Sequence, residues 1–331
     1  MSATSEREGE PKTGGKGAPV ELSVVVPVYN EEENIHELCR RLSRTLGGLG
    51  MTYEAIFVDD GSRDRSAELL AECARKDPCV RLVEFNRNYG QHAAIFAGLD
   101  HSRGEIVVTM DADLQNPPEE IGKLIAKIRE GYDSVGGLRM DRRDSALRKI
   151  PSWFVNRIVQ RATGVYLRDY GCMLRAYRRV VVDQIVRCNE ISSFIPTLAN
   201  SFASSVTEIG VAHEERKKGR SKYSLGRLIK LYFDLMSGFS LFPIQLISGL
   251  GILIALLGMF FGVFLFLRRL VHGPEVEGVF TLFAVLFVFV GIQLLAMGLI
   301  GEYIGRIYAE VRKRPRYVIR RITPGSPGRP A

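Results

Sequence analysis

Two apolar runs near the carboxyl end set the first constraint on this chain. From Leu241 to Leu267 only Gln245 and Ser248 interrupt apolar or small residues, and from Val279 to Ile300 only Thr281 and Gln293 do. A helix needs about 20 such residues to cross roughly 30 Å of hydrocarbon. Each run therefore predicts a membrane-spanning helix, the first with some tilt. A buried core helix can be as apolar, but two such lengths in tandem, parted only by Arg268 to Gly278, read as a membrane hairpin. Basic residues crowd its other ends: Lys217, Lys218, Arg220, Lys222, Arg227 and Lys230 before the first run, and Arg306, Arg312, Lys313, Arg314 and Arg316 after the second. By the positive-inside rule both termini and the whole segment before Leu241 face the cytoplasm, with Arg268 and Arg269 a minor counterweight.

The formal net charge of +8 is concentrated beside these runs, which points to anionic lipid head groups and away from nucleic acid. Cys39, Cys73, Cys79, Cys172 and Cys188 lack paired metal-ligand spacing, and an odd count in a cytoplasmic head predicts reduced, mostly buried thiols. No cleavable signal peptide is apparent, and residues 1–19, polar and Gly-rich, read as a disordered tail. The remaining divisions follow: a folded domain over 20–215, a basic loop and interfacial helix over 216–238, the hairpin over 239–302, and a basic segment over 303–331. Within the second of these, Leu225, Leu228, Ile229, Tyr232, Phe233 and Met236 share a helical face opposite Arg227 and Lys230, suited to the lipid interface.

The head alternates strands with helices. Val24-Val25-Val26 precedes a helix running to about Leu46, and Ala55 to Val58 runs into Asp59-Asp60-Gly61-Ser62 and a helix bearing Leu69, Leu70 and Cys73. Val80 to Phe85 leads through Asn86-Arg87-Asn88-Tyr89-Gly90 into a helix over His92 to Leu99, and a fourth strand starts at Ile106. Alternation of this kind predicts an α/β fold with a parallel sheet and helices on both faces. The fourth strand ends in Asp111-Ala112-Asp113-Leu114-Gln115, then Asn116-Pro117-Pro118-Glu119-Glu120. Carboxylates at the carboxyl edge of a parallel sheet lie where such folds bind ligands, and hard cations such as Mg²⁺ or Mn²⁺ share them with substrate phosphates. Alternatively, the pair merely solvates a loop and caps the next helix. The five histidines lack ligand spacing, which argues against zinc. No G-x-G-x-x-G or Walker sequence follows a strand.

Pro27-Val28-Tyr29-Asn30-Glu31, Asp59-Asp60-Gly61-Ser62 and Asp111-Ala112-Asp113-Leu114-Gln115 resemble, in this order, the nucleotide-sugar half of the inverting family 2 glycosyltransferases with the GT-A fold. Asn86 to His92, Asp169-Tyr170-Gly171-Cys172-Met173-Leu174-Arg175, Ser221-Lys222-Tyr223-Ser224 and Gly301-Glu302-Tyr303-Ile304-Gly305-Arg306 narrow the resemblance to its polyprenyl-phosphate glycosyltransferases. The resemblance implies transfer of a sugar from a UDP donor to undecaprenyl phosphate at the cytoplasmic face of the bacterial inner membrane. The sugar it implies is 4-deoxy-4-formamido-L-arabinose, for lipid A modification, with glucose, mannose or an N-acetylhexosamine as alternatives. Gly219-Arg220-Ser221-Lys222 departs from the family's acidic form of that loop, which bears on donor identity or on the charge balance around the phosphates.

By the same resemblance Pro27, Tyr29, Glu31 and Asp59 form the nucleoside pocket, joined by Asp111. Asp111, Asp113 and Gln115 hold Mg²⁺ or Mn²⁺ against the diphosphate, with Asp113 the most direct ligand. Arg139, Arg216 and Lys222 offset phosphate charge, and Asp169 orients the acceptor or acts as a base. The residues themselves leave simpler readings open: Asp59-Asp60-Gly61-Ser62 as a turn, Asp169 as a turn aspartate, the basic run as a lipid-facing surface. The resemblance also implies a homo-oligomer, tetrameric in relatives. A processive polysaccharide synthase would need more spans and a Gln-x-x-Arg-Trp signature; Gln184-Ile185-Val186-Arg187-Cys188 lacks its tryptophan. A silent nucleotide-sugar sensor would need no phosphate cations beside a metal pair.

Overall fold

Successive βα units build the head in the computed structural model, which describes residues 19–139, 169, 171–188, 194–214, 242–272, 279–312 and 314–324. They are β1 (Leu22–Val28), α1 (Ile35–Gly47), β2 (Tyr53–Asp59), α2 (Ser66–Lys76), β3 (Val80–Phe85), α3 (Gln91–His101) and β4 (Ile106–Thr109), then a short 3₁₀ turn at Pro118–Glu120 and α4 (Ile121–Arg129). β1 is buried at every position, as a strand covered on both faces must be. Val24, Val26 and Val28 enter the core formed with α1, α2 and α4, while Val25 points to the opposite face, against α3. α3 packs so closely there that a Cβ on Gly98 would lie 2.1 Å from a methyl of Val25.

The sheet continues with β5 (Ser134–Arg139), β6 (Arg175–Arg178), α5 (Arg179–Arg187), α6 (Ile195–Phe202) and β7 (Val206–Val211). Its eight strands run in the order β7-β5-β6-β4-β1-β2-β3-β8, where β8 is Ile319–Thr323. The expected parallel arrangement holds for β1 to β4. The whole sheet is mixed, since β6 runs antiparallel to both β4 and β5. The cause lies at the site edge: β5 ends there with Arg139, and Asp169, ion-paired to Arg139, lies at the same edge ahead of β6. A chain that re-enters a sheet from the edge at which it left must run antiparallel, because a parallel return needs a crossover to the far edge.

Two long helices follow, α7 (Phe242–His272) and α8 (Val279–Val311). Each contains a strongly apolar window, Ile247–Phe264 and Val288–Gly305, long and apolar enough to cross a membrane, and neither window is buried within the chain. α8 outruns the expected end at Ile300. Beyond it the chain returns to the head, and what read as a basic segment supplies β8, antiparallel to β3 with Val83 opposite Ile322. Arg321 reaches Glu84 at 2.6 Å, Tyr317 stacks on Phe85 at 5.0 Å between centroids, and the Arg316 guanidinium lies 4.0 Å over the Phe96 ring.

Candidate active site

The carboxyl ends of β1, β2 and β4, together with the start of α3, converge on one edge. β1 delivers Pro27, and the turn after it carries Tyr29, 39% exposed, and Asn30 in the left-handed region at φ 54°. The Asn30 N–H donates to Ser62 and the Glu31 N–H to Ser66, so the β1 turn is bonded to the β2 turn. The Glu31 carboxylate accepts from the Asn34 side chain at 2.6 Å.

Asp59 ends β2 with its side chain 3% exposed as a residue. Its Oδ2 accepts the Ser62 N–H at 3.2 Å, which is the turn geometry. Its Oδ1 is buried without a hydrogen-bond partner. A buried acceptor left bare is costly, and burial accordingly pushes the Asp59 carboxyl above its ordinary range. Such an oxygen is fitted to receive an N–H from a ligand. Asp60 is engaged differently: it accepts from the Asn88 side chain and from the N–H groups of Tyr89 and Gly90, bracing the loop before α3.

β4 ends in the acidic turn. Leu114 sits at φ 59°, folding the segment back so that the Gln115 N–H donates to Asp113 at 3.1 Å. Asp111 accepts from the Gln91 side chain at 2.7 Å. Burial first, then the nearby Asp113, pushes the Asp111 carboxyl up to about 7, against the lowering effect of Arg139 and Gln91. A carboxylate whose ionisation is opposed by burial and by a second carboxylate nearby suits a cation beside it. Among the described residues no cluster of three or more His, Cys, Asp or Glu side chains is placed to hold a metal. A pair completed by substrate oxygens is the form in which Mg²⁺ is commonly held, so the residues fit such an ion.

Arg139 and Asp169 form a fork, Nε to Oδ2 at 2.6 Å and Nη2 to Oδ1 at 2.8 Å. Asp169 also accepts the Gly171 N–H, the turn bond, and its own N–H donates to Glu208. Buried at 3% exposure, Asp169 is thus committed to a guanidinium. Arg216 and Lys222, and the amphipathic stretch from Tyr223 to Ser237, lie outside the described residues. The Glu214 N–H donates to the Gln115 carbonyl at 2.8 Å, so the chain leaves for that basic segment from the acidic turn itself. The sequence assigns no role to Gln91 within Asn86 to His92; its position at the start of α3 is the signal that brings it to Asp111.

Residues 23–186 match Glycosyl transferase family 2. The chain is 54% identical to the undecaprenyl-phosphate 4-deoxy-4-formamido-L-arabinose transferase of Pseudomonas paraeruginosa, over 94% of its own length and 93% of the relative's. It is 52% identical to the Shewanella sediminis protein of the same description, with 92% and 93% covered. Among solved structures, a mycobacterial protein superposes with TM-score 0.51 at 19% identity, covering 67% of this chain and 75% of the other. Glucosyl-3-phosphoglycerate synthase from Mycobacterium tuberculosis does so at TM-score 0.50 and 18% identity, with 67% and 81% covered, and these likenesses bear on the fold alone. With its GT-A sheet and a likeness running through head and hairpin alike, the chain belongs to glycosyltransferase family 2.

Proposed function

We propose that the protein transfers 4-deoxy-4-formamido-L-arabinose from UDP to undecaprenyl phosphate, with inversion, at the cytoplasmic face of the bacterial inner membrane. The observation that carries this reading is the extent of identity, 54% over 316 residues, to a transferase of that description. A likeness confined to the head would speak only for the nucleotide-sugar half.

The bare Asp59 oxygen accepts the imide N–H of uracil, the Tyr29 ring offers a stacking face, and Pro27 and Glu31 complete the nucleoside pocket. Asp111, Asp113 and Gln115 hold a divalent ion, Mg²⁺ or Mn²⁺. That ion, when bound, offsets the charge growing on the leaving diphosphate. Arg139, held in its fork by Asp169, faces the same carboxylate edge and adds positive charge there. The acceptor phosphate has a second pKa near 6, so it arrives largely ionised and needs no strong base. Asp169 therefore serves by fixing Arg139, and its pairing removes it from proton transfer. Arg216 follows two residues after Glu214, which is bonded to the acidic turn, and Arg216 and Lys222 draw the lipid phosphate toward that edge. Exposed apolar side chains along α7 and α8 are covered by lipid and by further copies of the chain.

Full-length protein in detergent, given a panel of UDP-sugars, undecaprenyl phosphate and Mn²⁺, is expected to form one lipid-linked sugar, read by mass spectrometry of the lipid. Asp113→Ala is expected to lower turnover by about 100-fold or more, as loss of a charge-stabilising group does. A long polymer, or full activity in the folded variant, would refute the reading.

A further inference from the structure

The nucleoside carboxylate Asp59 and the acidic turn after β4 are linked through the loop before α3, which is held at several points. Asp60, next to Asp59, receives three hydrogen bonds at 2.6 to 2.9 Å from Asn88, Tyr89 and Gly90. Gly61, at φ +67°, lies so close that a Cβ there would sit 2.4 Å from the Arg87 carbonyl carbon. Tyr89 has the Arg87 guanidinium over its ring at 4.6 Å and Phe85 in a T-shaped contact at 5.7 Å between centroids. Gly90 then starts α3 at φ 98°, and the next residue, Gln91, reaches Asp111 at 2.7 Å.

From this chain of contacts we infer that Gln91 is a positioning residue: its side-chain amide orients the Asp111 carboxylate for the metal, and Asp60 sets Gln91. The inference rests on the reading of Asp111 as a metal ligand. The physical logic is that of an outer partner to a metal ligand. A carboxylate without such a partner rotates among several orientations, and an N–H donated to one oxygen restricts the other to fewer. Partners of this kind commonly alter metal affinity by about 10- to 100-fold when removed. An ordinary surface glutamine would have no reason to sit on a backbone fixed this tightly.

The test is Mn²⁺ binding by calorimetry to the full-length protein in detergent with UDP present, alongside the KM for each substrate. Gln91→Ala is expected to raise the Mn²⁺ midpoint about tenfold, leaving metal-free UDP affinity, acceptor KM and the thermal transition unchanged. A purely structural role would move the thermal transition or all these constants together, and that result overturns the proposal. So does a Gln91→Ala midpoint within about twofold of the parent while Asp111→Asn shifts it. If Asp111→Asn also leaves the midpoint in place, the ligand assignment of Asp111 itself has failed.

Discussion

Asp59 holds one oxygen on Ser62 and leaves the other bare, and this asymmetry yields a sharp test. Asp59→Asn keeps the shape and can keep the turn bond through its one oxygen, but it then turns an NH2 donor toward the position of the bare acceptor, so the N–H···O⁻ contact is lost. Hydrogen bonds to charged groups contribute about 1.5–3 kcal/mol, so UDP affinity measured by calorimetry should fall roughly 10- to 100-fold with the fold intact. His92 gives a test of pH. It packs edge-on against Phe194 at 5.3 Å, its Nδ1 has no hydrogen-bond partner, and burial lowers its pKa from 6.5 to about 4. Because the folded pKa is depressed, the unfolded chain binds the proton first as pH falls. The neutral ring's contribution is present above pH 6.5 and is lost as pH falls toward about 4. Denaturation of the parent should therefore show a steeper loss across that window than His92→Phe, and equal slopes would contradict it.

At the scale of elements, the β2–α2 turn and the loop before α3 touch backbone to backbone at Gly61. Alanine there meets both a left-handed φ of +67° and a 2.4 Å overlap with Arg87. Gly61→Ala should cost at least about 2 kcal/mol in chemical denaturation and weaken UDP binding, since Asp59 lies two residues away. Which elements could be read from sequence follows from how they are stabilised. β1 to β4 and their helices were legible because fully covered strands are runs of Val, Ile and Phe, and the helices carry one apolar face. β5 holds Gly136 and Gly137, β6 is Arg-Ala-Tyr-Arg with Arg175 at 0% exposure, and β8 is Ile-Arg-Arg-Ile-Thr. Those strands are specified by partners distant in sequence: β6 lies against β4 with Arg175 opposite Thr109, and Arg321 pairs with Glu84. The site followed the same division. Asp59, Asp111 and Asp113 end readable strands, whereas the Arg139–Asp169 fork joins residues 30 apart across the site edge, and neither partner announces the other.

For the whole molecule, the decisive fact is that the chain passes through two apolar helices and then rejoins the sheet it left. The head, α8's far end and β8 must therefore share one side of any membrane the helices cross, whatever the charge bias at their ends. Reporters fused before Met1 and after Ala331 should both respond from the cytoplasmic side, and an acceptor peptide inserted between Gly273 and Gly278 should be labelled only from the opposite side. A terminal reporter found across the bilayer from the head would break this arrangement.

The same return path orders biosynthesis. β8 is translated last, so while the ribosome is still extending α7 and α8 the nascent head has β3 as an open edge, with Glu84 lacking Arg321. Unpaired strand edges invite aggregation and recognition by quality control. Closure of that edge thus waits on synthesis of both helices, and a chain cut short within them keeps an unfinished sheet.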